Sequence, residues 1–512
     1  MNQPNVLLLL TDQQRYDVTV PGEPAVSTPN IDRLRHEGVS CTRTYTPVSI
    51  CTSARASLLS GLYPHNHGML NNCHERDAVR ANLPAEIETF GELLADAGYD
   101  NTYLGKWHVG RDQKPEDFGF RFLGGQDGHD QAVDPGFREH QRDHGVDPDD
   151  VEFSETIYTD YAEDPVLIAA KTPVPKEATL TYYLAERTID RLEEWADGEG
   201  PFFHRTDIPG PHFPYLVPEP YASMYDPDEI DLWDSFVETY DGKPEVQERY
   251  LAYRGVEGLG EPEWREALAK YFGFVTFIDE QIGRILDAVD RLGIDVAVFH
   301  TSDHGDFAGG HRQFNKGPMM YEDTYRIPLI VRWPGVVESG AERDEFVRLL
   351  DLMPTFLDMA GIEPPEGIDG RSLLSLLRGE RPADWPDSVF TEYHGDEFGL
   401  YSQRMVRTGR YKYVYNPPGR DELYDLERDP DELQNLIEHP AYAEVLTELR
   451  QRLYRWMCET GDTIAGWSGE VLCDDPRDVM HEKSEAEAEA VMLDGSGEGS
   501  DGGSGEGSDD RP

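Results

Sequence analysis

Short, fully apolar runs that stop abruptly at polar and acidic residues constrain this chain most. Val6-Leu7-Leu8-Leu9-Leu10 runs straight into Thr11 and Asp12, and Ile294 to Thr301 runs into Ser302, Asp303 and His304. Runs of this length, bounded by turn-forming residues, predict strands buried on both faces, as in parallel sheets covered by helices. Helical patterns lie between them. Phe274, Phe277, Ile278, Ile282, Ile285 and Val289 form a core-facing stripe. Ile87 to Ala97, with Phe90, Leu93, Leu94 and Ala97 on one face, reads as a helix closed by Gly98. Thr28-Pro29 opens a helix, Leu180 to Trp195 continues the helical pattern, and Tyr99 to Leu104 and Pro201 to Thr206 read as strands. The alternation specifies an α/β fold with a central, mostly parallel sheet flanked by helices. Ligands in open α/β sheets sit beyond the carboxyl ends of the strands, where Asp12, Lys106 and Asp303 fall.

The pattern changes after residue 380. Ser388 to Tyr393, Tyr401 to Thr408 and Tyr411 to Asn416 read as short strands, with a hairpin turn at Thr408-Gly409-Arg410 and a helix from Ala441 to Cys458. We therefore expect a catalytic α/β domain over residues 1–380 and a smaller C-terminal α+β subdomain over residues 381–475. Gln126 to Val174 lacks a sustained period and reads as an insertion or long loop, and Val217 to Pro262 as an irregular acidic region. Residues 484–512 alternate Glu with Ala and then repeat Gly, Ser and Glu, a composition with too little apolar surface to fold, so this acidic tail is expected to be disordered.

The formal net charge is −54, of which the tail carries only −8, so the folded body is itself strongly acidic. Such a surface repels nucleic acid and anionic membranes, and it suits a protein of high-salt surroundings, where charge repulsion is screened. No apolar stretch approaches the ~18 residues that would suggest a membrane span. The five cysteines are sparse and odd in number, so neither a disulfide framework nor a zinc cluster is indicated. A cytoplasmic enzyme is expected, because Val6 to Leu10 is short and lacks a basic flank.

Cys51-Thr52-Ser53-Ala54-Arg55 places a thiol at the start of a predicted helix with an arginine one turn later. Helix N-terminal amides and a nearby cation attract anions and lower a thiol's pKa, so this is the expected nucleophile site. Asp12, Gln13, Asp303 and His304 offer two carboxylates, an amide oxygen and an imidazole. That set suits Ca²⁺ or Mg²⁺ and, through His304, Mn²⁺ or Zn²⁺.

Cys51 to Gly61 resembles the signature of the formylglycine-dependent sulfatases of the alkaline phosphatase superfamily. Four further segments agree in order: Asn5 to Gln14, Gly105-Lys106-Trp107-His108, Pro211-His212-Phe213-Pro214, and the stretch from Thr301-Ser302-Asp303-His304-Gly305-Asp306 through Asn315-Lys316-Gly317 to Arg326-Ile327-Pro328. Leu423-Tyr424-Asp425-Leu426 is similar to a C-terminal segment of the family. The resemblance implies an alkaline-phosphatase-like fold and hydrolysis of a sulfuric ester on a sulfated small molecule or sugar. It implies one divalent ion, Ca²⁺ first among the candidates, held by Asp12, Gln13, residue 51, Asp303 and His304. It also implies oxidation of Cys51 to 3-oxoalanine (formylglycine) by a formylglycine-generating enzyme, the hydrated aldehyde then serving as nucleophile. Arg55, Lys106 and Lys316 would neutralise the ester oxygens, His212 protonate the leaving alcohol, and His108 act as base in releasing sulfate. Asn72 and His74 are further residues expected to face the site.

Two departures stand out. Ser53 occupies the place where the family usually carries proline or alanine, which the maturing enzyme reads. Gln13 and His304 replace the common sulfatase residues and match the related phosphonate and phosphodiester hydrolases instead. A phosphonate monoester or phosphodiester hydrolase is therefore the alternative on the same site, and a non-catalytic anion or glycan binder the reading if Cys51 is not matured.

Overall fold

The computed structural model describes residues 3–21, 26–125, 134–160, 165–196, 198, 200–396 and 399–473. The tail read from 484 onward lies outside the described residues, as does part of the 126–174 segment. The chain divides into two compact units, residues 1–449 and 450–512.

In chain order, β1 (Asn5–Asp12), β2 (Val39–Tyr45), β3 (Asp100–Gly105) and β4 (Arg121–Phe122) come first. Of the next four strands, β5 (Ser154–Tyr158), β6 (Leu167–Lys171), β7 (Phe202–Pro211) and β8 (Tyr215–Val217), all but β7 belong to a separate three-stranded sheet. With β9 (Val296–Ser302), β10 (Arg326–Ile327), β11 (Leu329–Arg332) and β12 (Ala341–Arg348), the main sheet runs β10-β2-β11-β9-β1-β7-β3-β4, and β12 joins it on β2. It is a mixed sheet. The centre, β9-β1-β7-β3-β4, is parallel, whereas β11 runs antiparallel to both β9 and β2, and β10 antiparallel to β2.

The leucines of β1 show why the centre is buried on both faces. Leu7 and Leu9 pack with Ile278, Ile282, Ile285 and Leu286 of the long helix Glu261–Leu292. Val6, Leu8 and Leu10 face the other way, into a cluster with Ala54, Leu58, Phe203 and Phe356. The predicted stripe on Glu261–Leu292 is thus core, and the helix begins about four turns before that stripe does.

Two segments read as irregular hold regular structure. The 126–174 stretch contains the helix Pro135–Asp143 and strands β5 and β6. β5 is largely exposed, so no apolar pattern marks it. The helix Glu245–Arg254 lies within the acidic 217–262 region and buries Gln247 and Tyr250 beside Leu251, a face too polar to read as a stripe.

Strands β13 (Ser388–Asp396), β14 (Gly399–Thr408), β15 (Tyr411–Tyr415) and β16 (Glu422–Asp425) form an antiparallel meander within the first compact unit. It is tied to the main body by Lys412 Nζ on Glu322 at 2.8 Å and by the Glu392 N–H donating to the Pro47 carbonyl at 2.8 Å. The helix Ala443–Glu459 follows it in sequence, and the helix Ala465–Leu472 lies in the second unit.

Candidate active site

Parallel pairing brings the strand ends together. Thr11 of β1 sits opposite Ser302 of β9, so the next residues, Asp12 and Asp303, emerge side by side. On the other flank β1 is bulged between Thr11 and Asp12, which sets Asp12 opposite Pro211 and places His212 just beyond. Gly105 ends β3 beside Asp207, with φ of 100°, and a Cβ there would run into the Asp207 carbonyl. Only glycine lets the chain turn this closely and deliver Lys106.

The helix Cys51–Ser60 is buried over all ten residues and starts at the same place. Cys51 Sγ lies 3.1 Å from His304 Nε2 and 3.8 Å from Asp12 Oδ1. Ligand atoms of Asp12, Cys51, Asp303 and His304 all lie within 4.8 Å of one another, and all four residues are buried. His304 Nδ1 donates to the Gly305 carbonyl at 2.8 Å, which leaves Nε2 as the lone-pair nitrogen facing Cys51.

The cations are distributed unevenly. Lys106 Nζ makes an ion pair with Asp12 Oδ2. The Arg55 guanidinium donates to Asp303 Oδ2 at 2.9 Å, Asp207 Oδ2 at 2.6 Å and the Lys106 carbonyl at 2.9 Å, and sits 3.6 Å from Asp12. Arg55 therefore fixes the carboxylates from within the protein. Lys316 Nζ reaches Gln13 Oε1 and Asn315 Oδ1, each at 3.2 Å. Among the described residues it has no carboxylate at ion-pair distance.

Gln13 is locked on three sides. Its N–H donates to Asp303 at 3.1 Å, its Nε2 to Asp306 at 2.7 Å, and its Oε1 accepts from Lys316. Gln13 and His108 hold φ of 64° and 51°. Such left-handed conformations cost about 1 kcal/mol or more each and persist where the surroundings over-determine them. His108 Nε2 lies 2.9 Å from His74 Nδ1. His212 Nδ1 donates to the Phe213 carbonyl at 2.5 Å, so Nε2 is its exchangeable nitrogen.

The electrostatics correct one expectation. Burial pushes the Cys51 thiol up to about 11, although Lys106 and Lys316 pull against it. Loss of hydration outweighs the helix terminus, and Asp12 and Asp303 add repulsion. Burial also opposes ionisation of Asp12, but Lys106, His212, Arg55 and His304 together hold that carboxyl well below the usual range. Lys316 stays charged despite burial, through Cys51, Asp396 and Asp12.

The donor set fits a divalent cation, with permanently ionised Asp12, an adjacent Asp303 carboxylate and the free lone pair of His304 converging in one buried pocket. Residue 51 completes that cluster, and the Gln13 amide oxygen, 3.2 Å from Lys316, lies beside it.

Sequence reasoning missed Asp207 and Asp306. Asp207 carried a signal: Arg205 and Asp207 stand on one face of a buried strand and pair at 2.7 Å. Asp306, which accepts from Gln13 and from the Tyr215 hydroxyl at 2.8 Å, lies inside the matched 301–306 motif. Of the residues expected to face the site, Asn72 accepts the Thr52 N–H at 3.3 Å, and His74 meets His108 as described.

The sulfatase family model matches residues 4–362, and the model described as N-sulphoglucosamine sulphohydrolase, C-terminal, matches residues 309–459. An arylsulfatase of Clostridium perfringens is 31% identical over 88% of this chain and 94% of its own length. An N-acetylglucosamine-6-O-sulfatase of Bacteroides thetaiotaomicron is 26% identical over 88% of this chain and 86% of its own. The crystal structure of a phosphonate monoester hydrolase of Agrobacterium radiobacter superposes with a TM-score of 0.76 at 26% identity, covering 89% of this chain and 96% of that one.

Proposed function

The chain belongs to the sulfatase family and is a sulfuric ester hydrolase, and we propose that residue 51, oxidised to formylglycine and hydrated, attacks the ester of a sulfated sugar or similar small sulfate through one of the hydrate hydroxyls. The observation that carries this reading is the placement of Cys51 in one buried cluster with Asp12, Asp303 and His304, capped by Lys106 and facing Lys316.

Asp12, Gln13, Asp303 and His304 would hold the divalent ion, which supplies Lewis-acid polarisation of an ester oxygen. Lys106 and Lys316 bind the remaining oxygens, and Arg55 keeps Asp303 and Asp207 in place rather than meeting the substrate. His212, with its Nδ1 proton committed to the Phe213 carbonyl, carries at Nε2 the proton for the leaving alcohol. His108, oriented by His74, serves as the base for product release. The acidic chain, with a formal net charge of −54, is suited to work in high salt.

Gln13, His304 and the match to a phosphonate monoester hydrolase support a second reading, turnover of phosphonate monoesters or phosphodiesters on the same site. The test is side-by-side kcat/KM on aryl sulfate and aryl phosphonate esters, in high salt, with Cys51→Ala as control. We expect dominant sulfate turnover that Cys51→Ala abolishes. Dominant phosphonate turnover overturns the first reading in favour of the second.

A further inference from the structure

The helix Glu245–Arg254 packs against the backbone of Lys316. Tyr250 and Arg254 stand one turn apart on it. The Tyr250 hydroxyl donates to the Lys316 carbonyl and accepts from Arg254 Nε at 2.7 Å. Its ring lies over Gly317, where any Cβ would collide with it. Arg254 then reaches Asp396 Oδ2 at 3.2 Å, with the two side chains 10% and 2% exposed. Asp396 is the last residue of β13, and its Oδ1 accepts from Asn72 Nδ2 at 3.4 Å. Asn72 in turn accepts the N–H of Thr52, next to the nucleophile.

The small sheet thus delivers a buried carboxylate two hydrogen bonds from the backbone of Thr52, and that charge acts on Lys316. None of the chemistry assigned above uses Asp396 or Arg254. A carboxylate linked through Asn72 to the start of the Cys51 helix opposes the approach of an anion, which for an ester hydrolase needs a reason. The reason lies in charge counting: a buried negative charge, little screened by salt, repels a singly charged ester once and a doubly charged one twice.

We propose that Asp396, partly offset by Arg254, is a specificity-determining residue that admits singly charged esters and rejects doubly charged phosphate monoesters. The inference rests on the hydrolase reading above and names which anions that site accepts. It is tested with para-nitrophenyl sulfate, para-nitrophenyl phosphate and bis-para-nitrophenyl phosphate at about pH 8, where the phosphate monoester, with a second pKa of about 6, is a dianion. Asp396→Asn keeps the shape and removes the charge. It should raise the phosphate-to-sulfate ratio of kcat/KM about tenfold, which is about 1.4 kcal/mol, while the diester-to-sulfate ratio stays within about twofold because both are monoanions. Arg254→Gln, which removes the guanidinium that pairs with Asp396 at 3.2 Å, should move the phosphate-to-sulfate ratio the other way. Damage to the fold would lower all three substrates together. An unchanged ratio in Asp396→Asn, or both variants shifting it in the same direction, overturns the proposal while leaving the sulfatase reading intact. A wild-type enzyme inactive on sulfate overturns that reading and this inference with it.

Discussion

Replacing Arg55 with methionine should cost about 3 kcal/mol of stability. The guanidinium is fully buried and donates to Asp303 Oδ2, Asp207 Oδ2 and the Lys106 carbonyl. Removing one partner of a buried ion pair typically costs ~3–5 kcal/mol, because the other charge stays buried and uncompensated. The losses here are unequal. Asp207 keeps Arg205 at 2.7 Å on each oxygen and the Tyr103 hydroxyl at 2.6 Å. Asp303 Oδ1 keeps the N–H groups of Gln13 and His304, but Oδ2 loses the Arg55 contact. One stranded carboxylate oxygen rather than two places the cost at the low end, still a large share of the ~5–15 kcal/mol that holds a domain folded. The assay is urea unfolding in the presence of a chelator, reading the midpoint at constant slope. Asp303→Asn in the Arg55→Met background should recover about 1–2 kcal/mol, since it removes the stranded charge. A loss below about 1 kcal/mol for Arg55→Met, or further destabilisation in the double variant, would refute the reasoning.

Chelation should abolish ester hydrolysis and lower the melting temperature, and restoring Ca²⁺, Mg²⁺, Mn²⁺ or Zn²⁺ in turn should identify the ion by the largest recovery, roughly 2.7 kcal/mol at a hundredfold excess over its Kd; Asp303→Asn should erase that thermal shift. Burial holds His67 and His204 down to about 3 and His300 to about 4, against an ordinary 6.5. Unfolded histidines bind protons that the folded ones refuse, so stability present above pH 6.5 is lost as the pH falls toward these folded values. Each contributes a slope of roughly 1.4 kcal/mol per pH unit, and His300→Gln should remove one such share in unfolding curves taken at intervals across that range. Raising salt from ~0.1 M to ~1 M, which shortens the Debye length from about 10 to about 3 Å, should raise the melting temperature of this acidic body; a flat response would count against the high-salt reading.

What could be read in advance follows from how each residue earns its place. Asp12, Asp303 and His304 were legible because a buried parallel strand is written as an apolar run, and the polar residues at its end have no core role. Strands β13 to β15 were legible from their apolar runs and the turn at Gly409, whereas β16, Glu422–Asp425, is too short to read as a strand. The helix Glu245–Arg254 was not legible, because it buries Gln247 and Tyr250 through hydrogen bonds to Glu422 and Lys316 rather than through an apolar stripe. Arg254 and Asp396 meet across 142 positions of sequence, a juxtaposition no local pattern encodes. The thiol of Cys51 went the other way from expectation because a helix terminus and two lysines could not offset complete burial beside two aspartates. Arg55 was correctly placed one turn from Cys51, but the strand ends supplied three carboxylates to turn it inward.

Mass spectrometry of the tryptic peptide Thr44 to Arg55, from protein made in its native host, tests the central claim most directly. Residue 51 is expected to have lost its sulfur and to carry an aldehyde, with Ser53 tolerated in the maturation sequence. An intact thiol in protein that still turns over aryl sulfate would contradict it.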